Sequence, residues 1–494
     1  MRRWLWAASI VAVVVVATTG ALLSISDTTI TAARFSLLRG DRTALRAFLQ
    51  AMPKGGDLHV HLSGATYAED IIAWAAKDGR CVREVDLILF DPPCGNQPAA
   101  ADALKNQALY DRLIGAMSMR GFVPSSAAPT GHDQFFGTFG KFRAETDRRI
   151  ADMTVRLLRN YEAGAVQYAE FMASFGTRED RQRLVNAIGN ETNFEAMLAT
   201  LKSNGLDDAV ATARRQVADI IAQVDALRQC DAARTRPGCK AQFRYIAQIN
   251  RNSAPADVFV QTTIAAALVR VEPWVVGLNF VGPEDWRMAR ENYADHMRMI
   301  GFLAKGLPGE SAVPVALHAG ELWLGLVPPE DLSFHIRQAV EVAGARRIGH
   351  GVSLAFEPSM DALIAEMRAA KVAVEINLTS NDVILGVRGR NHPLPAYLKA
   401  RVPVVLSTDD AGVARIDLTN EYVRAARDYG LGYRRLKAIA RNALIFSFLK
   451  EADKRDELAK FEKAAADFEH SIAAQESLLN NLQAIIKAAV GPTR

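Results

Sequence analysis

Residues 52–65 read MPKGGDLHVHLSGA, a short apolar run that carries His59 and His61. Side chains two apart on a strand project to the same face. A strand over 57–62 therefore points both imidazoles the same way. A buried imidazole pair without partners is costly. A divalent cation is a partner that neutral imidazoles suit. A His-x-His stretch alone is weak evidence for a metal, so the rest of the chain has to decide.

Outward from this run, seven more short apolar stretches follow. They are AVQYAEFMAS (165–174), FRYIAQIN (243–250), WVVGLNFVG (274–282), VPVALHAGE (313–321), RRIGHGVSL (346–354), VAVEINLTSN (372–381) and VPVVLSTDD (402–410). Helix-period segments such as ADVFVQTTIAAALVRV and PSMDALIAEMRAAK separate them. Short apolar strands alternating with helices give an α/β protein with a parallel sheet covered by helices. Eight strands fit a closed (β/α)8 TIM barrel. An open doubly wound sheet usually has a Gly-rich turn after its first strand, and HLSGATYAED is not one. Thr28 to Met52 reads as helix with one glycine interruption, and the chain beyond Tyr433 as helix throughout. Segments near 77–135 and 185–240 read as insertions, so 26–494 is expected to be a single barrel domain with a helical N-terminal part.

In such a barrel, reactive groups come from the C-terminal ends of the strands. His59 and His61 fall there on the first strand, His318 and Glu321 on the fifth, His350 on the sixth, and Asp409 and Asp410 on the eighth. His59, His61, His318 and Asp409 would hold one divalent ion, with water in the open position. The first and last strands are neighbours in a closed barrel, which makes the convergence feasible. Glu321 lies three residues beyond a ligand, and a carboxyl in a dry pocket has its pKa raised enough to act as an acid. Each residue has an ordinary reading beside this one. Asp409 could cap a helix, His318 and His350 could be hydrogen-bonded core residues, and Glu321 could open a helix. The glycines flanking His350 favour close approach of backbone or ligand.

Of the 494 residues 49% are hydrophobic, and 59 basic residues stand against 55 acidic ones. No basic stripe interleaves with aromatics, so nucleic-acid binding is not expected. Residues 1–25 carry Arg2 and Arg3 ahead of an apolar run from Trp4 to Leu23, the pattern of an export signal. It would be cleaved as a signal peptide or kept as an N-terminal membrane anchor, and it places the protein in the periplasm or outside the cell. Cys81, Cys94, Cys230 and Cys239 fall into two close pairs. In an oxidising compartment these are expected to form the disulfides Cys81–Cys94 and Cys230–Cys239. Cys-x-x-Cys spacing, the usual zinc pattern, is absent. The insertions could serve as a homodimer interface, a receptor-facing surface or a lid, and composition leaves all three open.

The motifs MPKGGDLHVHLSGA, HAGE, RRIGHG and VVLSTDDAG resemble those of adenosine deaminases in the metal-dependent amidohydrolase superfamily. Order and spacing agree from about Met52 to Phe448, with weaker matches at RNHPLPAYLKA and ARNALIFSFL. The leader, the helical stretch before MPKGG and the cysteine-bearing insertions resemble the secreted, growth-factor-related branch. The resemblance implies one zinc ion per chain on His59, His61, His318 and Asp409, and hydrolysis of adenosine or 2′-deoxyadenosine to inosine products plus ammonia. It implies that Glu321 protonates purine N1 and that His350 helps deprotonate and orient the zinc-bound water. It also implies that Asp410 contacts N7 and that the Gly282 backbone N–H reaches N3. Ser63 stands where the family often has an aspartate for the ribose 5′ hydroxyl. EINLTSND departs from the common CPxSN-like run, which leaves Thr379 and Ser380 unassigned toward the sugar. The alternatives are another 6-aminopurine or cyclic amidine as substrate, or a secreted nucleoside-binding protein without turnover. A second deaminase design, His-x-Glu with Pro-Cys-x-x-Cys, does not occur here. VVGLNFVG lacks the Lys or Glu that would bridge two metals.

Overall fold

The structure is a computed structural model that describes residues 26–306 and 309–490, with side chains as far as Leu478. The leader expected at 1–25 lies outside the described residues. Each of the eight expected strands forms. They are β1 (Gly56–His61), β4 (Tyr168–Ala173), β5 (Gln242–Asn250), β6 (Val275–Val281), β7 (Ala316–Ala319), β8 (Arg347–His350), β9 (Ala373–Ile376) and β10 (Val404–Leu406). Two further strands, β2 (Cys81–Arg83) and β3 (Ile88–Phe90), make an antiparallel hairpin in the first insertion.

All barrel pairings are parallel. β1, β4, β5 and β6 form one four-stranded sheet, and β7, β8, β9 and β10 form the other. Two single bridges close the cylinder, Leu278 with Val315 on one side and Val60 with Asp409 on the other. At the second seam the His61 N–H donates to the Asp409 carbonyl (3.1 Å) and the Asp409 N–H to that of His59 (2.9 Å). Strands β4, β7, β8, β9 and β10 are buried at every position. Continuous apolar runs are what strands covered on both faces require.

Three charged residues break those runs. Arg347 donates to Glu170 Oε2 (2.6 Å) and to Glu375 Oε1 (2.5 Å), and its guanidinium lies 3.8 Å from the Phe448 ring centre. Buried charges persist only when paired in this way. Asp57, also buried, ties β1 to the segment after β10. Tyr161 (3.0 Å) and the Thr408 hydroxyl (2.7 Å) both donate to it, and burial pushes its carboxyl up to about 7 against those bonds.

The expected helix over 28–52 is two helices, Asp27–Leu38 and Arg42–Ala51. The break falls at Gly40, and Asp41 restarts the chain by accepting from the N–H groups of Thr43 and Ala44 (2.9 and 3.0 Å), an N-cap. The tail likewise divides into Tyr433–Ile445 and the 40-residue Glu451–Val490. Glu469 on the last helix accepts from Thr28, Tyr433 and Lys437 (2.8, 2.9 and 2.8 Å) and so binds the N-terminal helix to the tail.

Cys81 is bonded to Cys94 and Cys230 to Cys239. The first insertion reaches past its expected end at 135, because helix Gly131–Thr146 runs on from a Thr130–Asp133 capping box. It packs against helix Leu378–Leu385, which follows β9. A methyl group on Gly131 would lie 2.0 Å from the Val383 carbonyl oxygen. His132 meets Asp285 beyond β6 at 3.0 Å. The first insertion thus touches loops at the C-terminal rim of the barrel. The second begins earlier than expected, at helix Arg178–Ile188, and continues through Phe194–Ser203 and Leu206–Arg228. Among the described residues no helix is long and apolar enough to cross a membrane.

Candidate metal and catalytic site

His59 and His61 come from β1, His318 from β7, and Asp409 from the turn after β10. Their ligand atoms converge. His318 Nε2 is 3.0 Å from His59 Nε2 and 3.0 Å from His61 Nε2, and Asp409 Oδ1 is 3.4 and 3.2 Å from the same two nitrogens. Ligands at about 2.0–2.2 Å around a tetrahedral ion stand roughly 3.3 Å apart, so the spacing fits a zinc-sized cation. Asp409 Oδ1 is buried without a hydrogen bond of its own, which also fits. The four residues can therefore hold one divalent ion.

The outer atoms of the ligands are held too. His59 Nδ1 meets Glu375 Oε2 at 2.6 Å, and His318 Nδ1 meets Asn279 Oδ1 at 3.0 Å. Ser380 donates to Asp409 Oδ2 at 2.6 Å. Such partners fix ring orientation and raise ligand basicity. Gly349 makes room for a ligand, since a Cβ there would lie 2.6 Å from His59 Cε1. Asp409 (φ +60°) and His350 (φ +67°) both adopt the left-handed conformation that side chains rarely take, strain of the kind found at functional sites.

The electrostatics suit ligation. Burial lowers His61, and burial with the neighbouring imidazoles lowers His318 well below the usual range. Burial would also raise Asp409, but His59 and His61 outweigh it and hold that carboxyl well below its ordinary value. Burial acts against a proton on His59 as well, yet Asp409 and Glu375 raise it to about 10. A cation entering the cluster would displace that proton, as ligand deprotonation requires.

Glu321 lies in the loop after β7, not at a helix start. Its Oε1 is buried without a hydrogen bond, 3.4 Å from His350 Nδ1. Burial first, then Asp409 and Glu284, push its carboxyl well above the usual range and so favour its protonated form. Glu284 fixes this loop by accepting from the N–H groups of Gly320 (2.9 Å) and Glu321 (2.8 Å), and it meets His335 Nδ1 at 2.5 Å. His350 Nε2 stands 3.9 Å from Asp409 Oδ2, and burial lowers that imidazole to about 3. Asp410 is buried with Oδ1 unpartnered, and burial and Asp409 raise it well above the carboxylate range. Gly64 packs on it so closely that a Cβ would fall 1.6 Å from Asp410 Oδ1.

The remaining sequence candidates sit differently. Gly282 turns the loop after β6 with φ +94°, two residues before Glu284. Ser63 is half-buried in the short helix Leu62–Ala65. Among the described residues it makes no hydrogen bond to the ligand set. Thr379 turns to Glu421, and Ser380 holds a ligand instead of facing a sugar. Sequence reasoning passed over Glu375, Asn279 and Glu284, and weighed Ser380 only toward the sugar. One signal was available, because Glu170, Arg347 and Glu375 are charges inside strands that read as buried on both faces.

A closed parallel barrel with three histidines and an aspartate at its C-terminal rim defines a protein of the amidohydrolase fold. Residues 208–464, just over half of the chain, match the family model described as adenosine deaminase. The chain belongs to the adenosine deaminase family. It is 42% identical over 106 residues to the aminodeoxyfutalosine deaminase of Streptomyces coelicolor, across 21% of this chain and 27% of that one. It is 33% identical over 150 residues to the adenosine deaminase of Enterococcus faecalis, across 30% of this chain and 41% of that one. The chain thus spans less than half the length of these two curated relatives. Among solved structures, the N6-methyl-AMP deaminase of Arabidopsis thaliana aligns with a TM-score of 0.53 at 18% identity, covering 85% of this chain and 99% of that one. An amidohydrolase of Burkholderia ambifaria with bound Zn aligns with a TM-score of 0.50 at 17% identity, covering 87% and 95%. These two likenesses are of fold.

Proposed function

We propose that this protein hydrolyses adenosine or 2′-deoxyadenosine to inosine or 2′-deoxyinosine and ammonia, using one zinc ion on His59, His61, His318 and Asp409. The observation that carries this reading is the pairing of a four-atom ligand cluster with a buried, unpartnered carboxyl, Glu321, 3.4 Å from His350. Three imidazoles and a carboxylate favour zinc among the common divalent ions. When bound, zinc supplies Lewis acidity and lowers the pKa of a water to around 7. The rest falls to the chain. Burial and the neighbouring Asp409 and Glu284 favour the protonated form of Glu321, which can deliver its proton to purine N1 as electron density moves there. Burial and Asp409 likewise raise Asp410, which in its protonated form can donate to N7. His350 stands beside Asp409 and Glu321, where it can direct the attacking oxygen toward C6. The leader and the two disulfides support action outside the cytoplasm.

Ser63 favours a second reading, in which the sugar side is less specified and another 6-aminopurine nucleoside or nucleotide is preferred. Ammonia release from adenosine, 2′-deoxyadenosine, N6-methyl-AMP and aminodeoxyfutalosine, after chelation and after zinc return, tests both. Adenosine and 2′-deoxyadenosine should lead, with activity lost on chelation and restored by zinc. A different leading substrate supports the second reading. No ammonia from any of them, with zinc bound, would leave a nucleoside-binding protein without turnover.

A further inference from the structure

His350 is gripped by a chain of hydrogen bonds that the deaminase reading does not use. Asn381 Nδ2 lies 2.9 Å from His350 Nδ1, and Asn381 Oδ1 lies 3.0 Å from His392 Nε2. The Leu394 backbone N–H donates to His392 Nδ1 over 3.1 Å. His350, Asn381 and His392 are all buried. Imidazole tautomers and amide orientations are ambiguous in themselves, but a backbone N–H only donates. That donor fixes the direction of every later bond. His392 Nδ1 must accept, so its single proton sits on Nε2 and is donated to Asn381 Oδ1. The amide then turns its N–H toward His350, and His350 Nδ1 accepts.

We infer that Leu394, His392 and Asn381 hold His350 as its Nε2–H tautomer, so that it presents an N–H toward Asp409 and the metal cluster. Asn381 and His392 are positioning residues for His350. The other groups around the ring agree. Glu321 Oε1, 3.4 Å from Nδ1, makes no hydrogen bond to it and leaves the direction set by Asn381 unopposed. Asn377 Nδ2 is 3.4 and 3.5 Å from the two ring nitrogens and favours neither. The His59 and His318 rings lie 5.0 and 5.2 Å away, centre to centre. A neutral His350 in this tautomer orients an oxygen by donating to it and has no lone pair at Nε2 to accept its proton. Asn381, next to the Ser380 that holds Asp409, and the segment NHPLP thereby acquire a role.

The kinetic part of the test rests on the deaminase reading; the spectroscopic part does not. Zinc-loaded full-length protein with ¹⁵N-labelled histidines is read by long-range ¹⁵N–¹H NMR, His350 being assigned by its loss in His350→Gln. Wild type should show a protonated Nε2 and a bare Nδ1. Asn381→Asp is isosteric but accepts at both oxygens, so it should move the proton to Nδ1. A catalytic histidine in the wrong tautomer can cost up to ~10⁴ in rate. Asn381→Asp should therefore lower kcat on adenosine on the order of 10²-fold with KM little changed. His392→Phe frees the amide to rotate and should mix the two tautomers. A wild-type proton on Nδ1 overturns the inference, as does Asn381→Asp with unchanged tautomer and kcat. If wild type deaminates nothing, the deaminase reading fails, and the wild-type spectrum still decides the tautomer.

Discussion

Glu321 and Asp409 are both buried acids within a few ångströms of His350, yet their surroundings push them in opposite directions. Burial would raise Asp409, but two imidazoles hold it well below the carboxylate range, while burial pushes Glu321, whose Oε1 has no hydrogen-bond partner, well above it. Pairs of carboxyls driven apart in this way divide ligand from acid. Glu321→Gln should leave zinc content unchanged and lower kcat on the order of 10²–10⁴-fold, the usual size of a general-acid contribution. Metal analysis beside steady-state kinetics checks this, and a variant as active as wild type would remove Glu321 from the mechanism. Residues of this kind were legible in the sequence because each follows a strand and carries chemistry a barrel rim can use. Ser380 and Asn279 were not. Their roles depend on which neighbouring strand they face, and a serine or asparagine near a strand end carries no mark of that.

Between elements, one ionic string crosses the barrel wall, from Glu170 on β4 through Arg347 on β8 to Glu375 on β9, ending at His59 on β1. Four strands distant in sequence are fixed to one another by it. Glu375→Gln keeps the shape but removes the carboxylate that orients His59. Loss of such a partner typically weakens metal binding 10–100-fold. Competition with a zinc chelator should show a shift of that order, whereas unchanged affinity would make the string purely architectural. The eight barrel strands were readable because apolar runs recur between helical periods. The β2–β3 hairpin was not, since strands of three residues in a Pro- and Gly-rich stretch leave no periodicity to read. The break at Gly40–Asp41 was present as a helix stop and an N-cap, but the apolar spacing on either side hid it.

For the molecule as a whole, the two ends of the described chain are bound together at Glu469, which accepts from the N-terminal helix and from the helix before its own. Its burial would raise the carboxyl, but Lys437 and the Thr28 and Tyr433 hydroxyls hold it below its ordinary value. The unfolded chain therefore takes up the proton first as pH falls. The stabilisation is complete above the ordinary carboxylate range, shrinks through it, and is gone below the folded pKa. Glu469→Gln should flatten the acid side of a plot of melting midpoint against pH, and equal slopes in both proteins would show that this contact contributes nothing.

One of the two seams of the cylinder, where a single bridge links Val60 to Asp409, runs directly beneath the ion-binding cluster. Residues 59 and 61 stand on one half-shell, and 318 and 409 belong to the other. A cation gripped by all four is consequently a rivet as well as a reagent. At a hundredfold excess over its dissociation constant it contributes ~2.7 kcal/mol toward keeping the shell shut. Removing that cation should then loosen the molecule along this line, and limited proteolysis of the chelated protein should run faster than that of the metal-loaded one.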